Sequence, residues 1–159
     1  MAERNISAFR AVIIMGLIAG TLDISAAIII LAKMRAAFVL RYVASGVFGK
    51  EAYTAGPHMI AFGLFFHYLI AMTIATIYFL MFPHLSFLKT NRILNAVLIG
   101  LCAWLFMSLV VVPLSQIGPL KMTPEGAIKN IVILIVCIGL PVSLLTSKYY
   151  KQIVENSLQ

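Results

Sequence analysis

The chain has 159 residues, of which 62% are hydrophobic and only 11% charged, with a mean hydropathy of +1.04. A soluble domain carries about 25% charge and about 45–50% apolar residues, and a chain this short has too little interior to hide the excess, which excludes an ordinary soluble globule. The formal net charge is +7, but the basic residues stand in pairs between apolar runs (Arg4 and Arg10, Lys33 and Arg35, Lys89 and Arg92, Lys148 and Lys151). That is the spacing of anchors to anionic lipid headgroups, so the expected partners are membrane lipids and not nucleic acid.

In chain order, the first apolar run covers 11–32. It is longer than the apolar core of a signal peptide and is followed by further runs, so it reads as a first membrane span, with Asp23 inside it. Residues 36–49, "AAFVLRYVASGVFG", are too short and too charged to span. They predict an amphipathic or re-entrant helix ended near Gly46 or Gly49. A second span is expected over 57–82, opened by Pro57 and stopped by Pro83. The third covers 92–114 and should break near Val112, because Pro113, Gly118 and Pro119 follow. The fourth covers 123–146. Thr123 is its N-cap, Pro124 its first helical residue and Glu125 lies in its first turn, while Pro141 predicts a kink around Cys137–Gly139. Each run is long enough for a hydrocarbon core of about 30 Å, and the two-residue alternation of a β-barrel is absent. The expected fold is therefore an all-α integral membrane protein, one domain over 1–159, with four transmembrane helices in a bundle.

With four spans, both termini share a side. The basic residues divide evenly between that side (Arg4, Arg10, Lys89, Arg92, Lys148, Lys151) and the other (Lys33, Arg35, Arg41, Lys50, Lys121, Lys129). The expectation of cytoplasmic termini rests on the short 83–91 connection and the free N-terminus.

Asp23 is the residue most informative about function. A carboxylate within an apolar span costs at least a few kcal/mol if it meets hydrocarbon, so it must face protein or water. It reads either as a proton, cation or ligand contact, or as a hydrogen bond between helices. His67 is its natural counterpart, since helical rise puts both about 14–15 Å from the same membrane face, and imidazole titrates near neutrality; it reads either as a direct partner of Asp23 or as a neutral histidine donating one hydrogen bond to a threonine or the backbone. Gly16 and Gly20 form a GxxxG strip for close helix packing. Arg41 is a candidate lipid-headgroup contact, or simply a side chain snorkelling to water. Trp104 reads as packing against a neighbouring span. His58 and His84 lie about 39 Å apart along one helix and cannot share an ion. Cys102 and Cys137 form no metal-binding pattern, and no phosphate loop or nucleophile elbow occurs. No catalytic residue, metal or cofactor is therefore assigned.

Two central stretches, "LRYVASGVFGKEAYTAG" and "GLFFHYLIAMTIATIYFL", resemble small bacterial four-span inner-membrane proteins of the YagU-like group. The resemblance covers roughly residues 11–82 and rests on Gly16, Gly20 and Asp23; on Ala44, Ser45, Gly46, Gly49 and Gly56; and on His67 with Tyr68. It implies a location in the bacterial inner membrane. The YagU-like members are associated with acid resistance, and no catalytic role carries over. The expected function is a small transport, channel or proton-linked membrane protein acting as a homo-oligomer. The alternative is a structural or accessory membrane protein that binds lipid or a partner protein.

Overall fold

A computed structural model describes residues 7–116 and 123–157; the expectations for Arg4, Gly118, Pro119 and Lys121 lie outside them. The described residues are helical with short connections and contain no strand. Four helices are long and apolar enough to cross a membrane: α1 (Ala8–Leu31), α4 (His58–Met81), α5 (Arg92–Leu114) and α6 (Pro124–Ser157). Between α1 and α4 lie α2 (Ala36–Phe48) and the single turn α3 (Glu51–Thr54).

The caps follow local chemistry. The Ser7 hydroxyl accepts from Arg10 N–H at the start of α1, Asn91 Oδ1 accepts from Ile93 and Leu94 N–H at the start of α5, and the Thr123 hydroxyl accepts from Gly126 N–H at the start of α6. Each satisfies amide donors that have no partner within the helix. At its other end α6 runs past residue 146 to Ser157. Hydrophobicity ends there but helix does not, and Lys151 pairs with Glu155 one turn on at 3.5 Å, a spacing that supports an exposed helix.

Proline does not end α5 at Val112, nor does it sharply break α6. Each helix widens into a π-helical turn in the same register relative to its proline. Met107–Val111 precedes Val112 and Pro113, and Ile135–Gly139 precedes Leu140 and Pro141. The Val112 N–H donates to Met107 O and the Leu140 N–H to Ile135 O. An α-helix would bring the proline ring against the carbonyl four residues back; one extra residue in the turn relieves that contact, and the helix goes on. A third π turn, Ala27–Leu31, ends α1 without a proline. It leads into Lys33 and Met34, with φ of 48° and 70°. Left-handed backbone at non-glycine residues costs about 1–2 kcal/mol each.

The α1–α4, α1–α6 and α5–α6 pairs run antiparallel, whereas α4 and α6, which meet near their C-terminal parts through Phe79 and Tyr150, run parallel. Gly16 of α1 packs on Met72 and Gly20 on Tyr68 and Ala71 of α4. Met15 of α1 accepts from the Thr146 hydroxyl of α6 at 3.2 Å. Gly100 of α5 packs on Ile135 of α6, and Gly139 of α6 on the Ala96 carbonyl of α5. Helices α1 and α6 thus form the middle of the bundle, with α4 beside α1 and α5 beside α6. One end of the bundle carries the termini and the 83–91 connection. The other carries the end of α1, the start of α4, the end of α5 and the start of α6, together with α2 and α3.

The main core joins Ala11, Met15 and Ala19 of α1 to Tyr78 and Phe79 of α4, and to Ile99, Leu134, Ile138 and Val142 of α5 and α6. Toward the terminal end it becomes polar. Asn95, Ser143 and Thr146 are fully buried. Asn95 Nδ2 donates to the Leu88 carbonyl, and the Ser143 hydroxyl to the Arg92 carbonyl at 2.9 Å. The Tyr78 hydroxyl faces Ser143 and Asn95. Trp104, expected to pack against a neighbouring helix, lies at the edge of the same core.

Candidate intramembrane polar site

Asp23 lies on α1 about 12 Å from its end at Leu31, and His67 on α4 about 14 Å from His58, by helical rise. Both side chains are half-buried. The antiparallel packing of Gly20 on Tyr68 brings these two levels together, and the Asp23 carboxylate lies within electrostatic reach of the His67 ring. The ring does not bond the carboxylate directly. Its Nε2 meets the Gly20 carbonyl of α1 at 2.8 Å. A carbonyl can only accept, so Nε2 carries a proton and donates, and Nδ1 takes no part in this bond.

Small residues on α1 create this arrangement. A Cβ on Gly20 would stand 2.9 Å from the Tyr68 ring, so a larger side chain would hold α4 away. With glycine there, the helices approach closely enough for two polar links. His67 reaches the α1 backbone, and the Tyr68 hydroxyl pairs with that of Thr21 at 2.8 Å. Gly16 performs the same service one turn away, against Met72.

The third wall is the π turn of α6, which packs against α1. Cys137 lies in that turn and feels the Asp23 carboxylate. Because Leu140 N–H is given to Ile135 O and Pro141 has no N–H, the Val136 carbonyl has no donor from either residue. The site therefore combines a carboxylate, an imidazole, a thiol and an irregular backbone turn from three helices. Cys137 is the member that the sequence does not single out, since it forms no metal-binding pattern with Cys102. Its only sequence signal is its place four residues before Pro141, in the segment where a kink is expected.

Arg41 lies elsewhere, on α2. Its Nη1 donates to the carbonyls of Ala52, Tyr53 and Ala55 at 2.9, 2.9 and 2.8 Å, so the guanidinium clasps the end of α3. The Tyr53 hydroxyl adds a contact to Ser45 at 3.4 Å. Burial, and then the neighbouring Tyr53, pushes the Tyr42 hydroxyl above its ordinary range. His58 packs edge-on against Phe62. Cys102 and Cys137 are free thiols, Cys102 on the exposed surface. Among the described residues no three His, Cys, Asp or Glu side chains gather as metal ligands. Compared with known proteins, the chain matches no family model, no curated protein and no solved structure.

Proposed function

We propose that the protein is a four-span inner-membrane protein that moves protons, or a solute coupled to them, through the Asp23–His67 level of the bundle. The observation that carries this reading is a carboxylate and an imidazole from different helices held at one depth inside apolar spans, with the imidazole fixed through one nitrogen. An acid in a span is costly unless it works or is well paired, and here it has electrostatic company without a direct ion pair. The π turn beside it supports the same reading, since such turns recur at functional sites and irregular backbone at membrane depth belongs beside protein or water. Four helices leave room for at most a thin conduit, so the proposal includes a homo-oligomer, with lipids as the other partners, α2 and α3 at the interface and both termini in the cytoplasm. The resemblance of residues 11–82 to the YagU-like proteins, with their link to acid resistance, belongs to the same proposal.

The test is reconstitution into vesicles with an internal pH dye. An imposed pH gradient should dissipate faster with the wild-type protein than in empty vesicles, and Asp23→Asn should remove most of that excess. Equal rates for wild type and Asp23→Asn, at equal protein content, would reject the reading. The Arg41 clasp favours a second reading, an accessory membrane protein that presents a rigid α2–α3 surface to lipid or a partner protein. It predicts no excess dissipation from either protein.

A further inference from the structure

Helices α2 and α3 form one small body. Arg41 of α2 holds three carbonyls at the end of α3, and Ala44, Ala52 and Met59 share a core separate from that of the bundle. This body touches the ends of three long helices. It meets the π turn of α1. It lies across the first turns of α4, with Leu40 backbone against Gly63 and the Phe48 ring 5.1 Å from Phe62 and 6.2 Å from Phe66. At its far end it meets the residues following α5, where Gln116 N–H donates to the Gly46 carbonyl at 3.0 Å and Gln116 Nε2 to the Val47 carbonyl at 3.1 Å.

Three features set this body apart from a fixed connection. Its attachment to α1 is a pair of left-handed non-glycine residues, Lys33 and Met34; such strain persists only where surrounding contacts enforce it. Its other end is closed by the two Gln116 hydrogen bonds, both on the exposed surface side. And Phe48 reaches α4 at Phe66, next in sequence to His67. The body therefore lies at the end of the bundle nearer Asp23 and reaches, through Phe48 on Phe66, nearly the depth of His67.

We infer that the α2–α3 body is a lid over the Asp23 site, hinged at Lys33–Met34 and latched by Gln116, and that its opening admits water to the site from the face opposite the termini. This deepens the proton-linked reading and rests on it for its purpose, but access can be measured without flux.

The structure supplies a lock. A Cβ on Gly46 would lie 3.7 Å from Ser115 Cβ, within the span of about 3.5–4.5 Å that a disulfide bridges. The full chain carrying Cys102→Ser, Gly46→Cys and Ser115→Cys is reconstituted in vesicles and exposed to a charged methanethiosulfonate, with modification of Cys137 followed by peptide mass. Cys137 should react at least about tenfold more slowly with the lock oxidised than with it reduced. In the chain with Cys102→Ser alone, adding Gln116→Ala should speed the reaction severalfold. Equal rates in the oxidised and reduced states would overturn the lid, as would failure of the two cysteines to couple, or a Cys137 that never reacts. A lock that controls Cys137 in a protein with no pH-gradient dissipation would leave the lid standing and reject proton transport instead.

Discussion

Nε2 of His67 can only donate to the Gly20 carbonyl, so the ring is tied to α1 whatever its charge. A glutamine at this position retains a donor, and a leucine does not. His67→Gln should stay close to wild type in thermal unfolding, whereas His67→Leu should lose about 0.5–1.5 kcal/mol, the worth of one hydrogen bond. Equal midpoints for the two variants in the same detergent would show that the bond contributes nothing to stability. Steric limits at Gly16 and Gly20 are harder. Gly16→Leu must displace Met72 and Gly20→Leu must displace Tyr68. Each should cost about 1–3 kcal/mol by overpacking, and Gly20→Leu should also part the Thr21–Tyr68 pair. A melting temperature that does not move would contradict the close α1–α4 approach.

At the scale of elements, the helix breakers do less breaking than their residue types suggest. Pro113 was expected to break its helix and Pro141 to kink its own around Cys137–Gly139; each is absorbed by a π turn placed just before it, the second of which covers the expected segment. Local sequence identifies the proline that needs relief but not how relief comes, because kink, break and π turn differ in how the rest of the helix must pack. In α6 the packing is demanding: Gly139 lies against the Ala96 carbonyl, which holds the register beyond the turn. Arg41 is a second case. Its position on an amphipathic segment suggests a headgroup contact, and a nearby chain end with three unpaired carbonyls gives it other work. Hydrogen bonds to a charged donor are worth about 1.5–3 kcal/mol each when well shielded. Arg41→Ala should therefore loosen α3 and leave the long helices intact. Amide exchange at Ala55, whose N–H is bonded to Glu51 O, should rise about tenfold or more, with α4 and α6 unchanged.

Over the whole molecule, the link between the α1–α4 and α5–α6 pairs passes largely through α6 and the buried polar cluster near the terminal end. Asn95 and Ser143 satisfy the Leu88 and Arg92 carbonyls, and Thr146 reaches Met15 across the α1–α6 contact. Removing one side of such a buried bond strands the other, at about 1–3 kcal/mol. Asn95→Ala and Ser143→Ala should each lower the unfolding midpoint clearly. Because both act on the start of α5, the double variant should lose less than the sum of the two. Full additivity would mean that the two bonds are independent.

Length and hydropathy alone determined the four long apolar helices and most of their boundaries, because a run of apolar residues of that length has few other ways to satisfy its backbone. Cap chemistry at Thr123 and the non-spanning helix at 36–48 were equally legible, since both depend on neighbours within a turn or two. Asp23 and His67 could be singled out, and their common depth estimated, because helical rise is regular. Only the tertiary structure decided what stands around them: His67 bonded to Gly20, Cys137 brought in from α6, Arg41 turned to α3, and Gln116 closed onto α2. Each of these depends on which helices are neighbours and on which face each one turns inward. Apolar faces are nearly interchangeable in composition, so that choice is made by the few small residues that let particular helices approach, and by contacts between residues far apart in the chain.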